Sequence, residues 1–356
     1  MISRKARLAL ENGSIFEGFA AGAEGTAEGE VVFTTSMTGY VETLTDPSYW
    51  GQIVVATHPH IGNHGVQLAD RQWERIAVAG YVVADEDSPE SPGEGGWSLR
   101  RFLQEGGVVT ASGLPTRDLV LMIRRTGALR GVLTTEKASP KALVALSRRV
   151  PLMAGRSLSH LVGVRDPHVF GRSRRRVSLL DLGAKRALID TLIESGVSVK
   201  VFPSRTPATI LLKEGPEAVV LSSGPGDPAA MRPEIETARE LMRSGVAVIG
   251  ICLGHQLLGL AAGASSFKLK FGHHGANHPV KDLETGRIFI TTQNHGFALK
   301  AGCLPSSFRE THRSLYDGTI EGFHFRRRRV AGLQFHPEGA PGPREARELV
   351  RQFLND

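Results

Sequence analysis

The sequence predicts an α/β protein in two parts: a mixed α and β domain over residues 1–150, and a domain over 177–356 built on a mostly parallel sheet, with a linker over 151–176 between them. Three observations predict it. From residue 177 onward, short apolar runs alternate with stretches of helical periodicity, the pattern of a sheet covered by helices on both faces. Before residue 150 strand and helix signals follow no such alternation. Across 151–176 the periodicity fades, small and charged residues dominate, and Asp166-Pro167 and Gly171 punctuate the chain. A length of 356 residues suits two domains, each with its own core.

In order along the first part, apolar runs at 7–10 and 14–17 flank Asn12-Gly13, a two-residue hairpin signal. Strands are expected at 31–34, 53–57 and 77–84, and the acid-, Ser-, Pro- and Gly-rich stretch between 85 and 97 reads as a loop. Ser98 has the character of a cap for a helix over 99–105. A strand at 108–112 and helices near 117–125 and 140–150 follow. In the second part, strands are expected at 177–182, 197–201, 218–221, 246–251 and 330–335, and helices at 184–195, 234–244 and 255–262. No repeat of fixed period is present.

Composition narrows the class. With 41% hydrophobic and 22% charged residues, the chain is that of an ordinary globular protein. No run approaches the roughly 18 apolar residues of a membrane span, and the N-terminal segment leads into no signal-type apolar stretch, so a cytoplasmic location without membrane attachment is expected. Two cysteines, Cys252 and Cys303, cannot form a disulfide framework. Cys303 has no motif around it and reads as a small apolar residue. The net charge of +7 gathers at Arg172, at 174–176 and at 326–329. With little aromatic interleaving these runs read as a solvated linker and a hairpin turn, ahead of a surface for a protein partner and, last, for nucleic acid.

The chemistry centres on Gly250-Ile251-Cys252-Leu253-Gly254. A buried-strand run precedes it and helical character follows. This is a Gly-x-Cys-x-Gly form of the nucleophile elbow, a sharp strand-to-helix turn that needs glycine on either side of the nucleophile. The helix that starts just after Cys252 offers unpaired N–H groups and the positive end of its dipole, which favour a thiolate and a developing oxyanion. A base is found at the end of another strand-like run, in His336-Pro337-Glu338. Pro337 disfavours helix at His336, and an extended path puts side chains 336 and 338 on the same side. His336 would take the thiol proton and return one to the leaving group, while Glu338 would fix the imidazole tautomer.

Ser222-Ser223-Gly224-Pro225-Gly226-Asp227-Pro228 follows the strand at 218–221, and its glycines let backbone approach a substrate or supply an oxyanion N–H. There is no Gly-x4-Gly-Lys-Ser/Thr loop and no Gly-x-Gly-x-x-Gly after a strand, so no cofactor is expected on this chain and any ATP chemistry belongs to another. Gly272-His273-His274-Gly275-Ala276-Asn277-His278 lacks thiolates and an i, i+4 histidine pair, and no metal site is expected there.

Taken together, Gly250-Ile251-Cys252-Leu253-Gly254-His255-Gln256, the Ser-Gly-Pro-Gly-Asp-Pro turn and His336-Pro337-Glu338 resemble the class I (triad) glutamine amidotransferases. Within that class the chain resembles the carbamoyl phosphate synthetase small-subunit family. Phe271-Gly272-His273-His274-Gly275, Asn277-His278-Pro279-Val280 and Gln293-Asn294-His295-Gly296-Phe297 match its motifs. So do Thr35-Ser36-Met37-Thr38-Gly39-Tyr40, Leu44-Thr45-Asp46-Pro47-Ser48-Tyr49 and Pro59-His60-Ile61-Gly62-Asn63 in the first part, which other glutaminases of the class lack.

The resemblance implies that Cys252, His336 and Glu338 are catalytic and that L-glutamine is held by Ser48, Gly224, Gly226, Leu253, Gln256, Asn294, Gly296 and Phe297. Gly224 and Leu253 would supply the oxyanion N–H groups. It further implies a glutamyl thioester, and ammonia passed to a large subunit that uses ATP and Mg to make carbamoyl phosphate from bicarbonate for pyrimidine and arginine synthesis. The expected assembly is a heterodimer that can associate further. Val41, Gly339 and the basic run 326–329 depart from the family pattern without removing a catalytic group. The rival readings are a free-standing cysteine hydrolase, a non-catalytic basic regulator, and the glutaminase of anthranilate or GMP synthesis.

Overall fold

The computed structural model describes residues 4–86, 96–325 and 329–355. Most of the loop expected over 85–97 and three of the four arginines of the run 326–329 lie outside the described residues. The chain divides into two compact units, Met1–Met153 with Lys270–His274, and Ala154–Leu269 with Gly275–Asp356.

The first unit contains β1 (Lys5–Leu10), β2 (Ile15–Ala20), β3 (Thr26–Thr34), α1 (Tyr40–Thr45), β4 (Gln52–Ala56), β5 (His60–Ile61), β6 (Gly80–Val82), β7 (Asp85–Glu86), α2 (Leu99–Glu105), β8 (Val109–Ser112), α3 (Thr116–Thr126), β9 (Leu129–Thr134) and α4 (Pro140–Ser147). Seven of these strands close into a barrel in the order β1-β2-β8-β6-β4-β3-β9. The Asn12-Gly13 hairpin forms with Gly13 at φ 98°, and the Asn12 side chain accepts from the Ser14 N–H. Ser98 caps α2 by accepting from the Arg101 N–H. Consecutive residues divide between two apolar clusters: Val31, Phe33, Ile53 and Val55 in one, Val32 and Val54 in the other. Side chains alternate across a strand, so a strand buried on both faces reads as an unbroken apolar run. That explains why 31–34 and 53–57 are legible while β9, with Arg130 and Gly131 inside it, is not.

The second unit contains β10 (His168–Phe170), β11 (Arg176–Asp181), α5 (Arg186–Glu194), β12 (Ser198–Pro203), α6 (Ala208–Leu212), β13 (Ala218–Leu221), α7 (Arg232–Ser244), β14 (Ala247–Ile251), α8 (Leu253–Ala261), β15 (Ser266–Asp282), β16 (Ile288–Leu299), β17 (Phe308–Ser314), β18 (Ile320–Phe325), β19 (Val330–Leu333) and α9 (Arg347–Asn355). Lys270–His274 of β15 group with the first unit. The ten strands form one sheet in the order β10-β12-β11-β13-β14-β19-β18-β17-β15-β16. Its centre, from β12 to β19, is parallel. One face packs on α7 and α8 around Leu180, Leu221 and Val248, the other on α5 and α9 around Leu179, Val220 and Ile249.

Among the described residues no helix is long and apolar enough to cross a membrane. Arg175 of the basic stretch is held inside the second unit, by Glu217 at 2.9 Å and by the Leu354 carbonyl at 2.7 Å.

Candidate active site

In the parallel centre, β14 lies beside β19, with Ile251 opposite Leu333. The carboxyl ends of these two strands therefore lie side by side, with Cys252 following one and the segment to His336 following the other, at the usual location of a site in an open α/β sheet.

At the end of β14, Cys252 adopts φ 53° and ψ −102° and caps the nine-residue α8. Such backbone costs on the order of 1–3 kcal/mol in a residue other than glycine and persists only where the surroundings hold it. Here the Cys252 N–H donates to the Leu333 carbonyl at 2.8 Å, and the Cys252 carbonyl accepts from the Gln256 N–H at 3.1 Å. The flanking glycines are a steric requirement. A Cβ on Gly250 would lie 2.4 Å from the Gly254 carbonyl, and one on Gly254 would lie 2.2 Å from the Leu221 carbonyl. Cys252 as a whole is 1% exposed.

Past the end of β19, the His336 N–H donates to the Thr292 carbonyl at 2.9 Å, which fixes the backbone. His336 Nδ1 lies 2.8 Å from Glu338 Oε1, and both side chains are buried. A carboxylate can only accept, so the proton sits on Nδ1 and Nε2 is the basic nitrogen. Nε2 is buried and has no hydrogen-bond partner among the described residues. His255, three residues after Cys252, is a different kind of histidine. It packs on the Phe323 ring at 4.7 Å, and burial pushes its pKa down to about 3, so it is uncharged at neutral pH.

A third member was not anticipated. Lys185 is fully buried, with Nζ 3.0 Å from Glu338 Oε1 and donating to the carbonyls of Gly339 at 2.5 Å and Ala340 at 3.2 Å. It is delivered by a turn after β11 in which Asp181 Oδ1 accepts from the N–H groups of Gly183 and Ala184. Burial raises the pKa of Asp181, and the N–H groups it accepts from act in the opposite direction. Burial would likewise raise that of Glu338. The Lys185 ammonium, followed by His336, outweighs it and holds the carboxyl down to about 2. The available signal was a cation in the first turn of the helix expected over 184–195, where the dipole disfavours it.

The other predicted residues fall in four places. Gly224 follows β13, so close to β11 that a Cβ would lie 1.9 Å from the Leu182 carbonyl, and Gly226 bridges to Ser157. Leu253 and Gln256 are in the first turn of α8, and the Gly254 N–H in that turn donates to the Ser222 carbonyl at 3.0 Å. Asn294, Gly296 and Phe297 are on β16, where the Asn294 carbonyl is 3.7 Å from Cys252 Sγ and the Phe297 carbonyl accepts from Gln256 Nε2 at 2.6 Å. The structure thus brings together Cys252, Gln256, Asn294 and Phe297. Ser48 belongs to the first unit, in a short turn where its N–H donates to the Asp46 carboxylate at 2.9 Å and its buried hydroxyl has no partner among the described residues. Of the departures from the family pattern, Val41 is buried in α1, and Gly339 has φ 72° and supplies a carbonyl to Lys185.

Residues 178–355 match the family described as glutamine amidotransferase class-I, and residues 8–133 match the carbamoyl-phosphate synthase small chain, CPSase domain. The carbamoyl phosphate synthase small chain of Chlorobaculum tepidum is 44% identical over 350 residues, covering 97% of this chain and 96% of that protein. The protein of that name from Polynucleobacter asymbioticus is 42% identical over 374 aligned positions, 98% of this chain and 94% of its own length. That of Aquifex aeolicus is 41% identical over 365, with 99% and 98% covered.

Proposed function

This chain belongs to the carbamoyl phosphate synthase small chain family, and from that premise we propose that it hydrolyses L-glutamine at Cys252 and hands ammonia to a large-subunit partner. It is the glutamine amidotransferase subunit of that ligase. The observation that carries the finer reading is the juxtaposition of a cysteine at φ 53° on β14 with a buried His336–Glu338–Lys185 array beyond the adjacent β19.

In this reading His336 Nε2 takes the Cys252 proton and the sulfur attacks the side-chain amide carbon of glutamine. The tetrahedral oxyanion is received by the N–H groups of Gly224 and Leu253. The imidazolium, stabilised by Glu338, protonates the departing nitrogen, and the C–N bond breaks to give ammonia and a glutamyl thioester. Water, deprotonated by His336, attacks the thioester carbon, and the C–S bond breaks to release glutamate and the thiol. Gly226, Gln256, Asn294, Gly296 and Phe297 hold the substrate. Ammonia passes within the complex, because in neutral water it would be largely protonated and lose its nucleophilic lone pair. The partner supplies ATP and Mg and forms carbamoyl phosphate for pyrimidine and arginine synthesis.

A glutamine analogue carrying a diazoketone in place of the side-chain amide tests the site directly. Mass mapping should find it on Cys252 and not on Cys303, with glutamine protecting. Labelling at Cys303, or labelling indifferent to glutamine, would overturn the reading.

A further inference from the structure

We infer that Gln334 is a further catalytic residue, whose side-chain N–H donates to the Cys252 sulfur and stabilises the thiolate. The inference rests on the reading of Cys252 as the nucleophile. Gln334 follows β19 directly, is fully buried, and has its backbone N–H held by the Glu321 carbonyl at 2.8 Å. Its side-chain Nε2 lies 3.7 Å from Cys252 Sγ, within donor reach of a sulfur.

Oxygen and nitrogen of a carboxamide have nearly the same shape, so the neighbours must decide which one faces the sulfur. They do so without ambiguity. The Phe297 carbonyl can only accept, and Gln256 reaches it at 2.6 Å, so the Gln256 atom there is the NH2. That same nitrogen lies 3.0 Å from the Gln334 side chain and gives its second hydrogen there, so the Gln334 atom facing it is the oxygen. The remaining arm of Gln334, its NH2, then faces Cys252. His295 Nδ1, 2.8 Å from the same carbonyl, occupies the second acceptor position of Phe297. Thus one main-chain carbonyl on β16 sets the polarity of two side-chain amides and aims a donor at the nucleophile. The donor has a clear task. The sulfur also meets the Asn294 carbonyl at 3.7 Å, which accepts from a thiol but repels a thiolate. A hydrogen bond to an ionised group is stronger than one to its neutral form, so the Gln334 contact shifts the balance toward the reactive anion.

The test is the pH dependence of Cys252 alkylation by iodoacetamide in the full chain, wild type beside Gln334→Met, which keeps the bulk and removes the donor. The midpoint of the rate profile should rise by about one pH unit, and kcat/KM for glutamine at neutral pH should fall roughly tenfold. A variant with a lowered melting temperature but the wild-type alkylation profile would assign Gln334 a packing role and overturn the inference. Should Gln334→Met not fold, the side-chain NH2 protons of Gln334, followed by NMR in the wild-type chain, carry the same question. They move with the Cys252 titration if they donate to sulfur and stay still if they do not. Full glutaminase activity in Cys252→Ser would instead remove the nucleophile reading itself, whatever Gln334 does.

Discussion

The two units solve the same packing problem and end with different chemistry. In the first, the sheet closes on itself, and side chains fill the interior of so small a barrel. In the second, the sheet stays open, and polar groups gather beyond the carboxyl ends of its central strands. The contrast is sharpest in what each unit buries. Ionised groups in the interior require partners, and the open sheet supplies them: Lys185 on Glu338, Glu338 on His336, and three N–H groups on Asp181. What the barrel buries is mainly aliphatic, with Tyr40, Tyr49 and Tyr81 among the polar exceptions. Burial pushes all three phenols well above their ordinary range, keeping them neutral. The closed sheet yields an apolar core, whereas the open one yields a core and, beyond its strand ends, a set of buried, partnered polar groups.

Substitutions can break this division, the largest expected effect coming first. Cys252→Ser should lower glutamine-dependent synthesis by the partnered chain on the order of 10⁴-fold or more, while synthesis from added ammonia continues. Loss of both in a folded complex would contradict the division of labour. Glu338→Gln keeps the shape but removes the carboxylate that fixes the His336 tautomer, and should lower kcat by roughly 10²–10⁴-fold in a glutamate-release assay. Lys185→Met leaves Glu338 buried without its cation and should destabilise the second unit by about 3–5 kcal/mol in urea unfolding. In the barrel, Leu8→Ala should cost about 2–5 kcal/mol of stability and leave kcat per folded molecule unchanged. A large fall in kcat there would show that the chemistry is not confined as described.

The pH dependence follows from the sign of the Glu338 shift. Its folded carboxyl is held at about 2, below the ordinary 4.5, so the stability it contributes is complete above 4.5 and is lost as pH falls toward 2. Unfolding followed by circular dichroism across that window should show the loss in the wild type and a shallower one in Glu338→Gln.

Much of the open-sheet unit was legible because its signals are local. The glycines around Cys252 and the strand-ending His336-Pro337-Glu338 are contiguous motifs, and a parallel strand buried on both faces is an unbroken apolar run. Lys185 was not legible, since 153 positions separate it from Glu338 and only the assembled open sheet brings them together. Gln334 stands two residues before His336, yet its meaning depends on Gln256 and a carbonyl on β16. The strands β15–β18 escaped for a different reason. Their polar and histidine-rich stretches lack the apolar run or clean alternation that marks a strand, and β15 alone holds four charged residues and three histidines. Barrel closure escaped as well, because pairing β1 with β9 is a contact between distant segments that no local pattern encodes.

The most direct measurement is glutamate release from glutamine by the purified chain, wild type beside Cys252→Ser, with and without a carbamoyl phosphate synthase large subunit. Hydrolysis that requires Cys252 and rises when the partner is added is the predicted result. No hydrolysis under either condition, or hydrolysis undiminished in Cys252→Ser, would contradict the assignment of this site.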